Sequence, residues 1–137
     1  MAKLFLDANV VIDFLCERGT EFYKPAATLM TMGYNKEIDL CCSALTIATA
    51  CYFMEKGNAT HFEIIRKISD MTSICEVTDI NWEVVELALS SEFKDIEDAI
   101  QYFSAKKNGA DIIITRNKKD FRKSELLVFT PEEYLIK

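Results

Sequence analysis

Glycine and proline are scarce, four and two among 137 residues. Chains that stay unfolded are usually rich in such residues and poor in apolar ones, so extensive disorder is excluded. Histidine occurs once, as His61, and none of the five cysteines (Cys16, Cys41, Cys42, Cys51, Cys75) forms a Cys-x-x-Cys pair. That argues against a zinc site. An odd number of cysteines in apolar contexts reads as reduced, buried thiols of a cytoplasmic protein. No glycine-rich phosphate loop is present, so chemistry on a nucleotide cofactor has no support. An excess of positive charge is missing too. The net charge of −6 argues against a general nucleic-acid coat, which is usually basic. It remains compatible with a nuclease, whose acidic metal site adds negative charge. No leader or membrane span is visible, since the N-terminal apolar run is broken by Asp7 and Asp13, so no membrane partner is expected.

Half of the residues are hydrophobic. A chain of this length buries roughly two-thirds of its unfolded surface, enough for one unaided core, and residues 1–137 are expected to form one domain. Lys3–Leu6 reads as a buried strand ending at Asp7, with Asp7-Ala8-Asn9 turning into an apolar helix start at Val10–Leu15. A helix is expected from Gly19-Thr20 to about Met32 with Gly33 as its stop, and a strand at Ile38–Cys42. Ser43 caps a helix over 44–55 that has little polar surface and is expected to be buried on most sides. Gly57-Asn58 breaks it. Thr60 opens a helix to about Ser69 with Phe62, Ile65 and Ile68 inward, and Ser73–Val77 is a third strand. Asp79 or Asn81 caps a helix carrying Trp82, Val85 and Leu89. Leu126–Phe129 is the last strand, and Thr130-Pro131 a capped helix start. Strands alternating with helices specify a parallel sheet covered on both faces.

Residues 93–121 concentrate the chemistry. Asp95, Glu97 and Asp98 open a helix, where the dipole favours negative side chains. Asn108-Gly109 closes it, and Ile112–Ile114 follows as a strand buried on both faces. Thr115-Arg116-Asn117 leaves its C-terminal end, the edge at which open parallel sheets bind ligands. Carboxylates on separate elements suit a hard cation such as Mg²⁺ or Mn²⁺, which can activate water and stabilise charge on a phosphodiester. Each residue also has a structural role open to it. Asp7 and Asp95 can be helix N-caps, Glu97 a solvated first-turn charge, Asp111 the residue that leads into a strand, and His61 a surface position. Asp98 lies one turn after Asp95 and can share its helix face. The basic run Arg116, Lys118, Lys119, Arg122, Lys123 is either a solvated loop or a phosphate-binding patch. Composition and spacing by themselves lead to an α/β domain with an acidic metal site.

The combination LDANVVIDFL at 6–15, SALTIA at 43–48, DIEDAIQYFSA at 95–105 and IITRNKKDF at 113–121 resembles the PIN-domain family, in particular its small stand-alone bacterial members related to VapC-type toxins. The resemblance covers nearly the whole chain. It implies a three-layer α/β/α sandwich around a mainly parallel sheet of about five strands. It also implies a Mg²⁺- or Mn²⁺-dependent endoribonuclease acting on single-stranded RNA, often paired with an antitoxin and often a homodimer. Carried over residue by residue, the family's first aspartate matches Asp7 and its helix-start aspartate matches Asp98. Its third-helix glutamate falls on Thr49 and its acidic residue after Thr-Arg on Asn117, so two of four carboxylates are replaced. The expected site is therefore Asp7 and Asp98 as metal ligands, with Asn117 positioning metal or water. Asp95, Thr49 and Asn9 are auxiliary candidates, and Arg116, Lys118 and Lys119 are expected to bind RNA. Asp95, Glu97 and Asp120 are candidates to compensate for the lost charge, although Asp120 is expected beyond the site, with Phe121 packing the loop. The alternative is a degenerate PIN domain that binds RNA or a protein partner without cutting.

Overall fold

A computed structural model describes residues 1–136. Its strands are β1 (Lys3–Leu6), β2 (Asp39–Ser43), β3 (Cys75–Thr78), β4 (Ile112–Ile114) and β5 (Leu127–Phe129). Its helices are α1 (Ala8–Leu15), α2 (Thr20–Tyr34), α3 (Ala44–Lys56), α4 (His61–Thr72), α5 (Trp82–Leu89), α6 (Ile96–Lys107) and α7 (Pro131–Ile136), with a 3₁₀ turn at Lys118–Phe121. The sheet order is β3-β2-β1-β4-β5, and every pairing is parallel. This is the α/β/α sandwich that the strand–helix alternation predicts.

Side chains alternate across a strand, and β1 feeds two cores. Leu4 and Leu6 point into a cluster with Val10, Leu29, Ala50 and Met71, drawn from α1 to α4. Phe5 points the other way, to Cys41, Ile113, Tyr102 and Phe121. The chain builds outward from β1 to β2 and β3, then returns to add β4 and β5 on the opposite side. The reversal lies between β1 and β4, the place at which open parallel sheets bind ligands beyond the C-terminal strand ends. Asp7 and Thr115 are the residues that leave those two ends.

Several boundaries differ from the sequence expectation. Gly33 does not stop α2. The helix continues to Tyr34, and the chain turns at Lys36, whose φ is 61°. The glycine is needed for close packing, since a Cβ there would lie 2.6 Å from Leu40 Cδ1. Helix α3 is not buried on most sides: Tyr52 and Phe53 are exposed. Helix α4 runs three residues past Ser69 and turns Ile64 and Met71 inward, leaving Phe62 and Ile65 in solvent. Both Phe62/Ile65/Ile68 and Ile64/Ile68/Met71 satisfy helical spacing, and packing against the sheet selects the second. No helix among the described residues is long and apolar enough to cross a membrane.

Candidate functional site

Asp7 ends β1 and caps α1, its Oδ1 accepting from Ala8 N at 2.9 Å. Its Oδ2 accepts from Thr115 Oγ1 at 2.8 Å and from Asn9 Nδ2 at 3.2 Å. The N-cap reading of Asp7 is therefore borne out, while its second carboxylate oxygen faces Thr115 and Asn9. Asn9 ties the two strand ends together, because its Oδ1 also accepts from Arg116 N at 3.3 Å. Thr115 Oγ1 accepts from Asn117 N at 3.1 Å, which sets the turn that carries Asn117. Thr115 is fully buried. Sequence reasoning placed it at the strand end but gave it no role.

Asp7 is only 6% exposed, and every group that donates to it is neutral. Burial raises its pKa, the Thr115 and Ala8 hydrogen bonds oppose the rise, and the charges of Asp120 and Glu97 add to it. Asp98, in the first turn of α6, is pushed up to about 7. Burial is the largest cause, followed by repulsion from Asp7, Asp95, Asp120 and Glu97. Five carboxylates thus share one electrostatic neighbourhood. Asp95 serves as the N-cap of α6, its Oδ1 accepting from Asp98 N at 3.0 Å. Asp120 does not lie beyond the site: it lines a cleft of about 330 Å³ together with Asp95, Asp98, Phe93 and Lys119. The 3₁₀ turn buries Phe121, as expected, and in doing so leaves the neighbouring Asp120 on the cleft wall.

A buried polar junction joins α3 to α6. Ser43, Thr46 and Gln101 are buried and joined by hydrogen bonds, Ser43 Oγ to Gln101 Oε1 at 2.5 Å and Gln101 Nε2 to Thr46 Oγ1 at 3.1 Å. They lock the start of α3 to α6. Thr49, one turn further along α3, donates its hydroxyl to Leu45 O at 3.0 Å. Among the described residues no hydrogen bond joins it to Asp7 or Asp98.

The basic run divides into engaged and free members. Arg116 Nε lies 2.7 Å from Asp13 Oδ2, its Nη2 donates to Asp13 Oδ1 at 3.2 Å, and its guanidinium lies over the Phe22 ring. Nε is off-line for a hydrogen bond despite this approach, so the contact is an ion pair. Asp13, 1% exposed, also receives Arg18 Nε at 3.2 Å. Arg116 is therefore held against Asp13 and Phe22 rather than displayed free. Lys118 pairs with Glu133 at 3.1 Å. Lys119, Arg122 and Lys123 line the acidic cleft. Asp111 leads into β4 and accepts from Lys3 N at 2.9 Å, and His61 is an exposed first residue of α4.

The donor chemistry fits a hard divalent cation. A buried carboxylate with only neutral donors, beside others that repel it, is stabilised by a positive ion. Among the described residues no three His, Cys, Asp or Glu side chains are close enough together to hold a metal ion.

Comparison with known proteins agrees with this architecture. The family model described as PIN domain matches residues 3–119. The chain is 31% identical over 137 residues to Ribonuclease VapC1 of Aquifex aeolicus, covering 96% of this chain and 92% of that protein. Among solved structures it resembles a toxin–antitoxin complex from Klebsiella pneumoniae, with a TM-score of 0.66 and 22% identity over 93% of this chain and 97% of that one. It also resembles VapBC2 from Rickettsia felis bound to a promoter DNA fragment, with a TM-score of 0.63 and 18% identity over 93% of this chain and 96% of that one.

Proposed function

The chain belongs to the PIN-domain family, and on that premise we propose that it is a Mg²⁺- or Mn²⁺-dependent endoribonuclease acting on single-stranded RNA. In this reading it is the toxin of a toxin–antitoxin pair and works in the cytoplasm as a homodimer. The observation that carries the reading is the uncompensated carboxylate cluster at the reversal between β1 and β4. Asp7 and Asp98 would hold the cation, while Asp120, on the cleft wall that Asp98 shares, and Asn117, on the turn after Thr115, would complete the donor set or orient water. The ion, when bound, lowers the pKa of a water and neutralises charge on the scissile phosphate. Thr115 and Asn9 hold the Asp7 carboxylate in one orientation. Lys119, Arg122 and Lys123 supply positive charge to the phosphate backbone.

Support for a protein partner comes from the relatives and from the exposed apolar side chains of α3 and α4. Tyr52, Phe62 and Ile65 are all more than half exposed, and exposed apolar patches commonly mark interaction surfaces.

Thr49, bound within its own helix, and the spread of the carboxylates favour a second reading, a PIN domain that binds RNA without cutting it. Incubation of purified protein with single-stranded RNA at millimolar Mn²⁺ separates the two. The ribonuclease reading predicts cleavage that stops with EDTA and in Asp98→Asn. RNA that is bound yet intact supports the second reading.

A further inference from the structure

The acidic cleft continues beyond the cluster. A second cleft, again of about 330 Å³, is lined by Ser91, Tyr102, Phe103 and Lys106, and it shares Glu92, Phe93 and Lys123 with the first. The two clefts are therefore neighbours that meet at Glu92, Phe93 and Lys123. Each is large enough to take a nucleotide-sized ligand. Phe93 is half-buried and held from behind by Tyr102, Phe103 and Phe121, with ring centroids 5.0 to 6.3 Å away. Such support fixes the ring while leaving part of it on the cleft wall.

The cations near the site fall into two groups. Arg116 is occupied by Asp13 of α1 and Lys118 by Glu133 of α7. Lys94, Lys119 and Lys123, on the cleft side, make no ion pair among the described residues, and Arg122 donates only to the Lys119 carbonyl. Four cations without an ion pair, Lys94, Lys119, Arg122 and Lys123, thus line one cleft beside an aromatic ring and along one exit from the carboxylate cluster. Positive charge tracking a backbone beside an aromatic platform is the arrangement by which single strands are held without regard to sequence.

We propose that these two clefts form a nucleotide subsite for the strand leaving the cleavage site: a base stacks on Phe93, and Lys94, Lys119 and Lys123 hold the flanking phosphates. This rests on the reading of the chain as one that takes single-stranded RNA, and it adds the direction of the strand and the residues that grip it. RNA runs from the carboxylate cluster past the 3₁₀ turn toward the α5–α6 connection, and not across Arg116 and Lys118. Lys106, at the outer end, is paired with Glu125 and leaves no free positive charge there, so the firm grip is confined to the neighbourhood of Phe93.

The test uses the full chain with Asp98→Asn, so that binding is measured without cleavage, and a fluorescent single-stranded RNA titrated at several salt concentrations. The Lys119→Gln/Lys123→Gln double variant should lower the log–log salt slope by about 1.4, at about 0.7 per lost phosphate contact. Lys118→Gln should leave the slope unchanged. An abasic RNA should bind about tenfold more weakly than the intact strand to the parent, the scale of one base–aromatic stack. It should bind no more weakly than the intact strand to Phe93→Leu. Thermal unfolding of each variant verifies that the fold is intact. If the parent binds RNA but the double variant keeps its slope, or if Lys118→Gln loses as much, the subsite is overturned while the ribonuclease reading stands. If the parent binds no RNA, both fall. A Phe93→Leu variant that still prefers the intact strand removes the stacking role.

Discussion

Asp7 and Asp13 stand six residues apart at the two ends of α1, both buried, and they are treated in opposite ways. Asp13 is met by two guanidiniums, Arg18 and Arg116. Burial raises its pKa, and both arginines pull it back. Asp7 is met by a backbone N–H, an amide and a hydroxyl, while the nearby charges are of its own sign. A carboxylate whose charge is matched within the chain holds structure together. One whose charge is left unmatched costs stability and is suited to an external cation. The two are linked: Arg116, held by Asp13, directly follows Thr115, which orients Asp7.

The contrast can be broken by exchanging the roles. Asp98→Asn or Asp7→Asn should lower RNA cleavage by at least about 100-fold, since a catalytic cation contributes several kcal/mol to the transition state. Thermal stability should be unchanged or higher because a repelled charge is removed. Asp13→Ala should act first on stability, at about 2–3 kcal/mol. That is below the 3–5 kcal/mol of a fully buried pair, because the Arg18 and Arg116 side chains stay 41% and 30% exposed. A drop of several degrees in melting temperature would register it. If Asp13→Ala melts like the parent while Asp7→Asn unfolds, the assignment is reversed.

The comparison sharpens with pH. The folded chain holds Asp98 at about 7 against an ordinary value of 3.8. Between those values the folded state binds more protons than the unfolded state. This contribution to stability is full below about pH 4 and is lost as pH rises through 7. Melting temperature measured from pH 4 to 8 without divalent ions should show this decline, and Asp98→Asn should flatten it. The smallest effect is expected at Thr49. Thr49→Glu adds a carboxylate on the α3 face beside the Thr46–Gln101 junction and should tighten Mn²⁺ binding a few-fold in calorimetry. An unchanged affinity with the fold intact would mean that position 49 does not reach the ion.

Much of the fold was legible because each strand carries its own signature. Ile112–Ile114 is β-branched and bounded by Gly109 and by Thr115, and Ser43 and Thr60 announce the helices they cap. What escaped depends on partners distant in sequence. Gly33 looks like a helix stop until Leu40 is seen against it. The α4 face is ambiguous between two sets of residues that both contain Ile68. Asp7, Asp95 and Asp98 could be singled out because strand ends and helix starts are readable positions. Asp13, Thr115, Gln101 and the placement of Asp120 could not, since each takes its meaning from a neighbour on another element. The same is true of Arg116, which in sequence belongs to a basic run and in three dimensions belongs to Asp13.

The proposed role of the unmatched charge around Asp7 and Asp98 is to hold a divalent cation. Thermal unfolding at pH 7.5 with and without millimolar Mn²⁺ tests this without any RNA, because an ion that binds only the folded state raises the melting temperature by mass action. A rise is expected for the parent and for Asp13→Asn, and none for Asp7→Asn or Asp98→Asn. A rise of equal size in all four proteins, or in none, would contradict it.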